Sequence, residues 1–232
     1  MKVETKREAF NGHFLNIYET SRVILGFTEI HFSLQDLSRL FNRNRAIELK
    51  QIHSNIIHFS SRVTPGTEGD GIILDQRGRL AVIKTADCTP LFFWDTGGSC
   101  GGVIHIGWRG LLKGIETELL KLLQEKSIEL KDLNFYLGPG IEKKCYEVGP
   151  DLYEKFSSKQ YRGDIFSRHE GKKKKYLMDV KKGIRLSLRE SGILDHQAAE
   201  STLCTFCEAG RFPSHRRNPG AGSRIYNFLL LK

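Results

Sequence analysis

The stretch "AVIKTADCTPLFFWD", residues 81–95, sets two apolar runs on either side of a small polar corner, Thr85-Ala86-Asp87-Cys88. The first run reads as a strand that stops at the corner, and the second run follows Pro90. A loop of this kind presents side chains at a sheet edge. Cys88 is therefore either a small buried thiol or a group held out for chemistry.

Outward from that corner, apolar or alternating runs closed by turn signals predict strands at "HFLNIYE" (13–19), "GIILD" (71–75), "LAVIKTA" (80–86) and "LFFWD" (91–95). Three more follow at "GGVIHIG" (101–107), "LNFYLG" (133–138) and "RIYNFLLL" (224–231). "GIETELLKLLQEKSI" (114–128) sets Ile115, Leu119, Leu122 and Leu123 on one face and predicts an amphipathic helix directly after "GWRGLLK". A second helix starts at Pro150, and a third runs through "DVKKGIRLSLRESG" (179–192) with Gly192 as its stop. No Gly/Ser-rich or Pro-rich linker, repeat or charged tail divides the chain, so residues 1–232 read as one mixed α and β domain.

A single domain of 232 residues buries roughly 70–75% of its unfolded surface, which is ample for a core. With 39% hydrophobic and 27% charged residues, the composition favours neither a disordered nor a fibrous class. The start "MKVETKREAFNGHF" has no apolar signal core, and no stretch approaches the roughly 18 apolar residues of a membrane span, so neither secretion nor a membrane partner is expected. Five cysteines, an odd number, point to a reducing cytoplasm with free or metal-bound thiols. A net charge of +9 suits an anionic partner, yet much of the excess sits in "GKKKKY" (171–176), a solvated loop. Neither an arginine-rich helix nor an aromatic-basic sheet motif accompanies it, so nucleic acid is not expected.

His105 interrupts the apolar strand of "GGVIHIGWRG" (101–110), and Gly107 and Gly110 flank Trp108 and Arg109. An indole beside a guanidinium offers a stacking surface and a bidentate anion fork, which suits a planar, anionic or phosphorylated ligand. "QIHSN" (51–55) contributes His53 ahead of the acidic turn "EGDGIILD" (68–75), which holds Asp70 and Asp75. Together His53, Cys88 and His105 supply two imidazoles and one thiolate, a zinc-binding set with a fourth tetrahedral position left for water. Spacing alone does not show that they converge. Cys204 and Cys207 form a C-x-x-C that is redox-active, half a zinc ribbon or simply structural; with no second pair, structural thiols are the expectation. Cys145 beside Tyr146 reads as packing, and Cys100 has no evident partner.

Taken in order, "QIHSN", "TADCTP", "HIGWRG", "GPGIEKKCYEVG" and "CTFCEAGRFPSHRR" resemble the YfiH family, described as purine nucleoside phosphorylases and formerly as polyphenol oxidases or laccases. The resemblance spans roughly residues 45 to 230. It implies a four-layer α-β-β-α fold, of the α+β class, shared with the catalytic domain of the cytotoxic necrotising factor toxins. It also implies His53, Cys88 and His105 as ligands of zinc, with copper as the other candidate metal. The implied partners are purine nucleosides and phosphate. The implied reactions are phosphorolysis of adenosine, inosine, guanosine and methylthioadenosine, and deamination of adenosine to inosine. Arg109, then Arg216 and Arg217, are the expected anion forks beside Trp108, and Asp87 is the expected proton shuttle by adjacency to Cys88.

This chain departs from the family pattern at four places. Ser54 replaces the glycine of Q-V-H-G, Ile106 the alanine of H-A-G-W-R-G, and Gly140 a frequent cysteine, while Pro213 and His215 alter R-F-F-S-Y-R-R. Two rivals follow from chemistry. A multicopper oxidase needs many paired imidazoles, yet the eight histidines include no H-x-H pair, and Met178 is the sole methionine after Met1. A cysteine hydrolase would use Cys88 as nucleophile and His105 as base, as in the toxin relatives, and a role in peptidoglycan editing belongs with that alternative.

Overall fold

The computed structural model describes residues 1–41 and 46–232. The first sheet runs in the order β1 (Lys6–Phe10), β2 (His13–Glu19), β3 (Val23–Thr28), β15 (Ile225–Leu231), β7 (Leu80–Thr85) and β4 (Ala46–Glu48). The second runs β14 (Ala198–Glu200), β10 (Leu133–Leu137), β8 (Thr89–Asp95), β9 (Gly101–Ile106), β6 (Gly71–Leu74) and β5 (Ile57–Phe59). A small third sheet joins β11 (Glu147–Val148), β13 (Tyr176–Met178) and β12 (Phe166–Arg168).

The opening stretch therefore supplies one strand to each large sheet. Strand β7 leaves the first sheet at Thr85, β8 enters the second at Thr89, and Ala86-Asp87-Cys88 is the crossing between layers. Side chains alternate across each strand, so β7 points Ala81 and Ile83 to the space between the sheets and Leu80 and Val82 to the outer face. Likewise β8 sends Phe92 and Trp94 inward and Leu91 and Phe93 outward. Both faces of both strands are buried, which is why they read as near-continuous apolar runs.

Helices cover the two outer faces. Leu37 of α1 (Leu34–Phe41) packs with Phe32 on the first sheet. Leu111 of α2 (Trp108–Lys113), Leu119 and Leu123 of α3 (Ile115–Glu125) and Ile184 and Leu188 of α6 (Val180–Glu190) pack on the second. Two shorter helices, α4 (Pro150–Lys155) and α5 (Arg162–Ile165), complete that layer. The result is the four-layer α-β-β-α arrangement expected.

Local signals explain most boundaries. Asp179 caps α6 by accepting the Lys182 N–H at 2.9 Å, Gly192 follows with φ +95°, and Pro150 is the first residue of α4. The helix expected over 114–128 begins after Gly114, whose φ of +72° separates α3 from α2; the preceding "WRGLLK" is itself helical. The Lys-rich loop is exposed as expected, and Lys172 and Lys175 lie against Glu147. No helix among the described residues is long and apolar enough to cross a membrane.

Candidate metal centre

Strand register assembles the site. In the β8–β9 ladder Thr89 faces Ile106 and Pro90 faces His105, so one step further sets Cys88 beside Gly107. In the β6–β9 ladder Gly71 faces Ile104, so the same step sets Asp70 opposite His105. Three residues that the sequence separates thus meet at one end of the second sheet. Gly107 is required there: a Cβ on it would lie 2.7 Å from Cys88 Sγ.

His53 arrives from the loop before β5 in a left-handed conformation, φ +56°. The buried carboxylate of Asp70 accepts hydrogen bonds from His53 N at 3.0 Å, Ser54 N at 2.6 Å, Ser54 Oγ at 2.7 Å and Ile52 N at 3.3 Å. The same carboxylate holds His105 Nδ1 at 2.8 Å. Nε2 of His105 is then the ring nitrogen left for the cluster. Ser54, a departure from the family pattern, adds a hydroxyl bond that glycine lacks.

One ligand atom each from His53, Cys88 and His105 lie within 4.8 Å of one another, and the two imidazole rings cross at 71° with centroids 4.8 Å apart. Burial alone would raise the Cys88 thiol, but the charge and hydrogen bond of His105, with those of His53, outweigh it and bring the thiol down to about 6. Burial opposes a charge on His105, yet Cys88 and Asp70 raise its ring to about 9. Burial likewise pushes Asp70 up, and the bonds from His105 and Ser54 more than reverse it, holding the carboxyl well below its usual range. A thiolate at neutral pH with two imidazoles, one fixed by a carboxylate, is a donor set that fits a borderline ion such as zinc or copper. Only one other such group exists among the described residues, made of cysteines alone. Nothing there resembles the imidazole-rich cluster of a multicopper oxidase.

The expected flanking residues divide. Asp87, φ +86°, accepts from Thr205 Oγ1 at 2.7 Å, Ser214 Oγ at 3.0 Å and Arg216 N at 2.6 Å. Its carboxylate, the expected proton shuttle by adjacency to Cys88, ties the corner to the 204–217 segment. The guanidinium of Arg217, an expected anion fork, donates to the carbonyls of Thr205, Phe206 and Phe212 at 2.5–3.0 Å and so clamps a loop. Arg109 is exposed and lies 4.4 Å over the Trp108 ring, and Lys155 lies 5.4 Å from the same ring. Arg216 spends one nitrogen on the Glu147 carbonyl at 2.7 Å and stacks 5.0 Å from Tyr146.

Trp108, Tyr146, Arg216 and Lys175 help line an open cavity of about 410 Å³. Tyr146 connects it to the cluster electrostatically. Burial, then the Cys88 charge, raise its phenol to about 12, while Arg216 and Arg109 pull the other way. The sequence reading missed Asp70 as the orienting carboxylate and Tyr146 as a lining residue of the cavity. An acidic residue one step before a strand was the only signal for the first.

Residues 31–232 match the family described as "Multi-copper polyphenol oxidoreductase laccase". A Bacillus subtilis relative named purine nucleoside phosphorylase YlmD is 34% identical over 164 residues, which is 70% of this chain and 59% of that protein. The match thus spans less than two thirds of that relative. A Haemophilus influenzae protein named purine nucleoside phosphorylase is 31% identical over 177 residues, 76% of this chain and 70% of its own. The crystal structure of YlmD from Geobacillus stearothermophilus superimposes with a TM-score of 0.85 at 23% identity, covering 100% of both chains, a likeness of fold. On sequence and fold together, the chain belongs to the laccase-like YfiH family, several of whose members are named purine nucleoside phosphorylases.

Proposed function

We propose that this chain is a zinc-dependent purine nucleoside enzyme, which cleaves adenosine, inosine, guanosine and methylthioadenosine with phosphate and deaminates adenosine to inosine. The observation that carries the reading is a set of two imidazoles and one thiolate in a chain whose open cavity is lined by Trp108, Tyr146, Lys175 and Arg216, together with Glu147 and Asp151, with Arg109 and Lys155 stacked against the Trp108 ring. His53, Cys88 and His105 would hold the zinc, and a bound zinc supplies Lewis acidity, lowering the pKa of water from 15.7 to about 7.

The chain's own groups do the rest. Asp70 holds the His105 tautomer and orientation through Nδ1. Arg109 donates its planar fork to phosphate, with Arg216 as the second cation. Tyr146, kept protonated, donates a hydrogen bond to the bound nucleoside. The cavity volume falls within the roughly 300–1,000 Å³ usual for small-molecule sites. The test is phosphate-dependent release of hypoxanthine from inosine and ammonia release from adenosine, each assayed in wild type and Cys88→Ala. Loss of both in a folded variant is expected, and a wild-type protein inert to every purine nucleoside overturns the reading.

A second reading is favoured by one observation: Cys88, His105 and Asp70 also fall in the order nucleophile, base, orienting acid of a cysteine hydrolase. Such an enzyme, acting on an amide or muropeptide, uses His53 only as the lesser of the two imidazoles that lower the Cys88 thiol. His53→Ala abolishes the nucleoside reactions under the first reading; under the second it weakens hydrolysis, while His105→Ala abolishes it.

A further inference from the structure

The other convergence of ligand atoms lies apart from the histidines. Cys145, Cys204 and Cys207 bring their three sulfurs within 4.8 Å of one another, with Cys145 Sγ 3.3 Å from Cys207 Sγ across 62 residues of chain. Three sulfurs around a tetrahedral zinc, with bonds of about 2.3 Å, stand about 3.8 Å apart, so the native backbone already holds them at ligating range. The expectation that Cys145 merely packs beside Tyr146 is therefore corrected. It is the missing partner of the C-x-x-C.

The surroundings suit a thiolate cluster. Cys204 is buried, Cys145 is half-buried and Cys207 is exposed, so the group has a protected side and an entry side. Glu142 N points at Cys204 Sγ at 3.4 Å. Backbone N–H groups aimed at a sulfur support a ligating thiolate as an outer shell does. Three thiolates this close repel one another unless a cation lies among them.

We propose that Cys145, Cys204 and Cys207 form a second metal site, a trithiolate that takes a soft divalent ion such as zinc and leaves the fourth position to solvent. Its place in the fold gives it a job. Cys204 bridges Gly140, and Thr205 N donates to Gly140 O at 3.1 Å, so the cluster joins the 138–149 loop to the 204–217 segment. That loop carries Tyr146 and part of the cavity wall. That segment carries Thr205 and Arg216, which hold Asp87 beside Cys88. Binding displaces the thiol protons to solvent and fixes both pieces against each other.

The experiment uses the full chain and zinc itself. Relative to wild type, Cys204→Ser and Cys207→Ser each lose about one zinc equivalent per chain, while the equivalent held through Cys88 remains. Because the buried Cys204 variant risks misfolding, thiol alkylation mapped by mass spectrometry is run on the wild type with and without zinc. Zinc slows alkylation of Cys145, Cys204 and Cys207 together, at least about tenfold, and a chelator restores it. Equal alkylation rates with and without zinc, or recovery of these cysteines as a disulfide in zinc-treated protein, overturns the proposal.

Discussion

The buried Asp70 carboxylate lies 2.8 Å from Nδ1 of His105, and through its other contacts it also fixes the backbone of His53 at 3.0 Å. One acid thus sets the position of both imidazoles. Asp70→Asn keeps the shape and loses the charge. It is expected to lower zinc affinity about 10–100-fold, read by competition with a chelating dye, while the fold persists by circular dichroism. Unchanged affinity would show that the histidines hold their places without Asp70.

Gly107 supplies a purely steric prediction. Gly107→Ala places a methyl group 2.7 Å from Cys88 Sγ, too close for any real carbon, in a stretch where the neighbouring strands leave little freedom. Zinc content falls to the level of Cys88→Ala, whereas Gly66→Ala, whose Cβ meets nothing within 4 Å but needs φ +87°, costs stability and leaves the metal in place.

Arg109→Lys separates anion handling from metal binding. The lysine keeps the charge and loses the planar fork that now lies 4.4 Å over Trp108. The phosphate KM of phosphorolysis rises, on the order of tenfold, with zinc retained and deamination less affected. An unchanged phosphate KM, or equal loss of both activities, makes Arg109 a structural residue.

Glu116 gives a stability prediction away from the site. Its side chain is fully buried between α3 and α6, takes one bond from Ser187 Oγ at 2.6 Å and leaves Oε2 without a partner among the described residues. Burial raises its carboxyl from about 4.5 to about 6. The folded state thus holds the proton more tightly than the unfolded chain, and the stability it contributes is full below about 4.5 and is lost as pH rises through about 6. The shift corresponds to about 2 kcal/mol. Glu116→Gln is expected to gain about that much near pH 8 in urea unfolding and nothing near pH 4; a loss at the higher pH contradicts it.

Much of this was legible in the sequence, and what was missed has a physical cause. Strands β7, β8, β9 and β15 were readable because they are buried on both faces and carry long apolar runs. The short edge strands β4, β5 and β14 were not, since three residues hold no period. His53, Cys88 and His105 were recognisable by motif; register sets Cys88 and His105 together, and the Asp70 carboxylate holds the His53 loop against them. Asp70 was noted in its acidic turn without a role, because that role depends on lying opposite His105, a cross-strand fact. The same holds for Cys145, whose partners lie 59 and 62 positions along the chain. The loop contacts of Arg217 and Asp87 were equally hidden: their types suit chemistry, while in the fold backbone carbonyls and loop donors engage their polar atoms.

The central claim is that His53, Cys88 and His105 together hold a metal. The most direct measurement is zinc per chain in the purified wild type and in His53→Ala, Cys88→Ala and His105→Ala, by elemental analysis on protein confirmed to be folded. Each variant is expected to lose about one equivalent relative to wild type, and the same equivalent in every pairwise combination. Full retention of metal in all three variants would contradict the account.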